Sequence, residues 1–126
     1  MKRILIALVL LIAVLLTVFF GSKTVISLCD ASLSELEQSL DAAQSNDWDK
    51  TTAHSDKLLK KWDENRFKAL CFANRGEIDK INERIAVLAA IADRKNLSEF
   101  EETAAEIGHM LKMLRHEQFL TAESFV

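Results

Sequence analysis

"WDKTTAHSDKLLKKW", residues 48–62, sets two tryptophans two heptads apart in a chain that has no tyrosine. At 3.6 residues per turn, Trp48, Thr51, Thr52, Ser55, Leu58, Leu59 and Trp62 fall within an arc of about 120°. Lys50, Lys57, Lys60 and Lys61 lie on the other side. This is the period of an amphipathic helix with a partly polar buried face, and it has none of the alternation of a strand. Small Thr52 and Ser55 between the rings allow a neighbouring helix to approach, and each ring offers a large apolar area to pin it. Trp48 and Trp62 are therefore expected to be structural. His54, about 120° round from Trp48, flanks the stripe and is the one candidate ligand contact on this helix.

Outward from this segment the helical pattern continues on both sides. Asp47, at the end of "SND" (45–47), is a suitable N-cap. Upstream, Ser32 with Glu35 forms a capping box, predicting a helix start there, with Leu33, Leu36, Leu40 and Ala43 at helical spacing. Downstream, "DEN" (63–65) is expected to end the central helix. A third helix then carries Phe67, Leu70, Cys71, Asn74, Ile78, Ile81, Ile85, Leu88 and Ala92 on one stripe. Asn74 is the internal polar residue of that stripe and a candidate for fixing helix register. "DRKN" closes the third helix, and Asn96 with Glu99 forms a second capping box. Leu97, Phe100, Ala104, Ile107, Leu111 and Leu114 line the last stripe, and the tail "FLTAESFV" is apolar enough to pack back. With no proline and only three glycines, little else punctuates the chain. The expected fold is all-α: an antiparallel bundle of about four helices, arranged as two helical hairpins.

The N-terminus adds a membrane segment. "ILIALVLLIAVLLTVFF" (4–20) carries no charge, and 14 of its residues are Ile, Leu, Val or Phe. Those side chains favour insertion by roughly 4 to 8 kcal/mol. No small-residue cleavage site follows the run, so an uncleaved anchor is expected. Lys2 and Arg3 precede it and one lysine, Lys23, follows, which places the N-terminus in the cytoplasm and the rest outside. The expected organisation is an anchor over 1–23, a juxtamembrane linker over 24–31 and an extracytoplasmic bundle over 32–126. Membrane lipid is then the partner of residues 4–20.

Residues 24–126 carry 13 basic against 19 acidic side chains, a balance that disfavours nucleic acid and anionic lipid surfaces. Catalytic patterns are missing: no G-x-S-x-G, P-loop or dinucleotide fingerprint occurs. Glu106 and His109 make one E-x-x-H pair, whereas a di-iron bundle needs two such pairs. "HMLKMLRH" (109–116) has soft-metal ligand types, but Met110 and Met113 at i, i+3 are expected as core filler. Cys29 and Cys71 are the only cysteines and form no metal or redox motif. A bridge between them is permitted outside the membrane, and a buried free Cys71 is the preferred reading. No cofactor and no metal are expected.

On Trp48, His54 to Leu58, Trp62, "GEIDKI" (76–81), Glu117 and "FLTAESF", the chain resembles domain-of-unknown-function family 4363 over most of residues 33–125. Arg75 stands where that family is expected to have a histidine. The resemblance implies a short membrane segment followed by a helical region, in a bacterial, Gram-positive setting, and transfers no catalytic residue. The functional expectation is a non-catalytic, membrane-anchored module that binds an envelope or membrane protein. The alternative is an extracytoplasmic helical bundle that senses a small molecule or metal through Trp48, Trp62 and His54.

Overall fold

The computed structural model describes residues 1–124, with side chains at all of these except 72 and 121–124. Four helices account for nearly all of it: α1 (Lys2–Gln44), α2 (Trp48–Phe72), α3 (Arg75–Arg94) and α4 (Leu97–Ser124). Connections of two or three residues force each helix to run back along the one before it. α1 packs against α2 and α4, and α3 closes the square against the same two helices. The expected all-α antiparallel bundle is what forms.

Each connection has its own chemistry. After α1, Asn46 takes a left-handed conformation at φ 61°, and Asp47 Oδ1 accepts from the Lys50 amide at 3.2 Å. Between α2 and α3, Ala73 is extended, and Asn74 Oδ1 accepts from the Gly76 and Glu77 amides at 2.8 and 3.3 Å. Before α4, Lys95 turns left-handed at φ 56°, and Asn96 Oδ1 accepts from the Glu99 amide at 3.2 Å. These side chains satisfy amide donors that the first turn of a helix leaves unpaired.

The core follows the sequence stripes closely on α3 and α4. Ile78, Ile81, Ile85, Leu88 and Ala92 are buried, joined by Ile91, and they face Phe100, Ala104, Ile107, Leu111 and Leu114. Leu97, at the rim, is exposed.

Three boundaries differ from expectation. The segment 24–31 is no linker: α1 runs through it without a break, and Val25, Leu28 and Cys29 are buried in the core. A capping box acts only where the chain before it is not helical, and nothing in 21–31 breaks a helix already running. "DEN" does not end α2 either, since it contains no residue that cannot continue a helix, and Asn65 Nδ2 donates back to the Lys61 carbonyl at 2.8 Å. The break falls at Ala73–Asn74, which shifts the helical phase. Phe67 and Cys71 consequently face solvent, and Asn74 is an exposed N-cap where an internal register residue was expected.

Burial along α1 begins at Gly21. Below it, residues 2–20 extend outside the bundle for about 28 Å, close to the hydrocarbon thickness of a bilayer. Ile4 to Phe20 expose most of their large apolar side chains. α1 is thus long and apolar enough to cross a membrane. The tail over 119–126 lies mostly outside the described side chains; within it Phe119 and Leu120 are exposed on α4.

Candidate functional site

The residues singled out in 48–62 meet α1 along a polar seam. Ser32, Glu35 and Ser39 recur at i, i+3 and i+7, one face of a helix, and all three are buried. Trp62 is fully enclosed, and its indole Nε1 donates to Ser32 Oγ at 2.8 Å. One turn further on, His54 Nδ1 lies 2.9 Å from Glu35 Oε2, and Lys57 Nζ lies 3.8 Å from the other oxygen. A further turn along, Ser39 Oγ sits 2.9 Å from Ser55 Oγ and donates to the Thr51 carbonyl at 3.3 Å. The pair Ser32 and Glu35, which reads as a helix start, therefore works as the docking face for α2. A donor or acceptor enclosed this way is expensive to leave unpaired, so the seam admits one register between the two helices.

Trp48 anchors the far end differently. It is half-buried, its Nε1 donates to Asn46 Oδ1 at 2.9 Å, and its ring meets Phe100 of α4 edge-on, centroids 6.1 Å apart at 87°. It lines a cleft of about 540 Å³ with Asn46, Asp47, Asp49 and Lys95. His54 lines a different cleft of about 300 Å³, with Gln38, Asp41 and Lys50 among its walls. The two indoles and the imidazole do not share a pocket.

The other singled-out residues lie apart from this seam. Cys29 and Cys71 are both free thiols. Cys29 is enclosed between α1 and α4; burial above all, with the Asp30 carboxylate and against the Arg115 guanidinium, pushes its thiol up to about 12. Cys71, expected to be buried, is exposed because the α2–α3 break turns that face outward. On α4, His109 and His116 are exposed and Met110 is half-buried. Met113, expected as core filler, is exposed beside a cavity of about 140 Å³ that Glu77, Lys80 and Ile81 also line. Burial and the neighbouring Glu117 carboxyl raise the Glu77 carboxyl above its ordinary range. Glu106 pairs with Arg84 at 2.8 Å. Among the described residues no three His, Cys, Asp or Glu side chains converge on one point.

Sequence reasoning missed Ser32, Glu35 and Ser39. Their signal was present: three polar residues on the same helical face as Leu36 and Ala43, with a histidine and a tryptophan amide donor within reach on the next helix. Seen as a start signal, they were not tested as a buried face.

An apolar helix that continues unbroken into a four-helix bundle, locked to it by a polar seam, defines the class: a small all-α protein with one candidate membrane span. The chain belongs to the family described as Domain of unknown function (DUF4363), whose profile matches residues 19–124. The match begins two residues before α1 becomes buried, so it covers the bundle and leaves out most of the apolar run. No curated protein and no solved structure matches the chain.

Proposed function

We propose that this protein is a single-pass, membrane-anchored, non-catalytic module, with its N-terminus in the cytoplasm and its bundle outside, that binds another envelope or membrane protein. The observation that carries the reading is the continuity of α1: the helix that offers the apolar run is also a wall of the bundle. A rigid joint of this kind holds the bundle at a set height and orientation, which suits docking to a neighbour in the same membrane. Lys2 and Arg3 before the run support the orientation through the excess of positive charge.

The bundle's charge suggests the partner's chemistry. The half away from α1's apolar end, residues 33–59 and 85–111, holds 11 acidic and 4 basic side chains. A partner with a basic surface would be steered to that half and oriented by it.

The test is a photo-crosslinking residue placed at Asp49 or Glu101, both exposed in that half, in the full-length chain within its native membrane. The expected result is a discrete adduct with a different polypeptide, weakened by raised salt. Irradiated membranes that yield only monomer, or only adducts between copies of this chain, would overturn the reading.

A further inference from the structure

The geometry points to an anionic phospholipid site in the groove between α1 and α2 at the end of the bundle nearest the apolar run. This rests on the reading of residues 2–20 as a membrane span. The groove has a volume of about 450 Å³, and its walls include Phe20, Lys23, Ser27, Leu28, Lys61 and Asn65. It starts where the apolar run ends and extends along α1 to Ala31, about 16 Å. The polar layer on each side of a bilayer is roughly 5 to 8 Å deep, so the lower half of the groove lies among lipid headgroups.

The lining fits that occupant from bottom to top. Phe20 supplies an apolar floor at the hydrocarbon boundary. Lys23 bends back toward the membrane, its Nζ 4.5 Å from the centre of the Phe19 ring, at the height where phosphates lie. Side chains on a helix lean toward its N-terminus, so α1, which rises from the membrane, naturally aims Lys23 downward. Ser27 adds a hydroxyl to the same wall, and Lys61 of α2 brings a second cation to the upper end. A phosphate diester with apolar chains below it matches a wall that is apolar at its foot and cationic above.

Two further features agree. Phe67 is 78% exposed, an unusual state for a phenylalanine in water. The pairing of Ser32 with Trp62 sets α2 against α1 so that Phe67 lies roughly two to three turns above the end of the run, beside the headgroup layer. The charge of the bundle is also divided. Residues 21–32, 60–84 and 112–120, the half nearest the run, hold 10 basic and 7 acidic side chains, against the acidic excess of the other half. The net acidity that argues against anionic lipid is therefore concentrated at the far end, and the near end is complementary to such a surface.

The experiment uses the full-length chain in mild detergent, with phosphatidylglycerol and phosphatidylcholine supplied together and bound lipid counted by native mass spectrometry. The natural chain is expected to prefer phosphatidylglycerol at least tenfold. At about fivefold for each lysine, the double variant Lys23→Gln with Lys61→Gln should lose roughly ten- to thirty-fold of that preference. Lys57→Gln with Lys60→Gln, which removes the same charge from exposed positions outside the groove, should keep it. Equal retention of both lipids by the natural chain, or equal loss in both double variants, overturns the assignment. Displacement of the lipid by millimolar inorganic phosphate would assign the groove to a free anion and overturn it as well. Alkaline extraction of reconstituted vesicles separates this from the anchor: a chain that leaves the vesicles defeats the membrane reading, whereas one that stays without lipid preference defeats only the groove.

Discussion

If the polar seam sets the register of α1 against α2, the bond from Trp62 to Ser32 is its most informative member. Both residues are fully enclosed, and the 2.8 Å bond is the indole's printed partner. Ser32→Ala removes the acceptor and leaves a buried N–H without one, a change that costs about 2 kcal/mol. Trp62→Phe removes the donor with part of the ring and leaves a small void, also about 2 kcal/mol. Together the two changes should cost about 2.5 kcal/mol, because no orphaned N–H remains, giving a coupling of roughly 1.5 kcal/mol. For a bundle of this size Ser32→Ala should lower the thermal midpoint by roughly 10 °C. Ser27→Ala, on the exposed side of α1, should change stability by less than about 0.5 kcal/mol. The assay is urea unfolding of the full-length chain in detergent, followed by far-ultraviolet circular dichroism, with the denaturant slope held as a check on two-state behaviour. A Ser32→Ala effect below about 0.5 kcal/mol, or additive single effects, would refute the seam as an energetic constraint.

Four other outcomes follow from particular residues. Ser27→Pro should destabilise the bundle by about 3 kcal/mol or more, since it removes an amide bond in mid-helix and clashes with the preceding turn; a urea midpoint close to that of the natural chain would restore a linker at 24–31. In intact cells a membrane-impermeant maleimide should label Cys71 and not Cys29, whose thiol, pushed up to about 12, stays protonated and enclosed; labelling only after lysis would reverse the proposed orientation. Glu77 binds its proton more tightly folded than unfolded, so its contribution is present at low pH and lost as pH rises through its raised value. Glu77→Gln should raise the neutral-pH midpoint and flatten that decline, and an unchanged pH profile would count against the carboxyl pair. Lys95→Gly should stabilise by about 0.5 kcal/mol, because only glycine adopts the left-handed turn at φ 56° freely; a loss of stability by urea titration would show that the turn is not strained.

Much of the fold was legible because helical period is a local property. The stripes of α3 and α4, the stripe of 48–62, the Asp47 cap and the Asn96 cap could each be read from a window of a dozen residues. Errors arose where one local signal had two structural uses. Ser32 and Glu35 satisfy the rule for a helix start and equally the needs of a buried face, and only the helical state of 21–31 decides between them. Asn74 lies in phase with the apolar stripe on either side of it, but a cap two residues before Gly76 breaks that phase. Cys71 and Phe67 then turn outward, and the buried thiol is Cys29.

The seam was not legible for a different reason. Whether a serine, a glutamate and a histidine are solvated or buried depends on what stands opposite, and that depends on register between helices. The charge division has the same origin: the total is a property of composition, but its separation into an acidic and a basic half requires knowing that 33–59 and 85–111 share one end.

By itself, the sequence determined an apolar run of membrane length, an all-α chain, the helical faces and two of the three caps, because each depends on contacts within a few residues. Only the tertiary structure decided that α1 is a single helix joining run to bundle, that Trp62 meets Ser32, and that two lysines far apart in the chain line one groove. Those facts depend on packing between segments, where the partner of a polar atom is chosen by geometry that no local window contains.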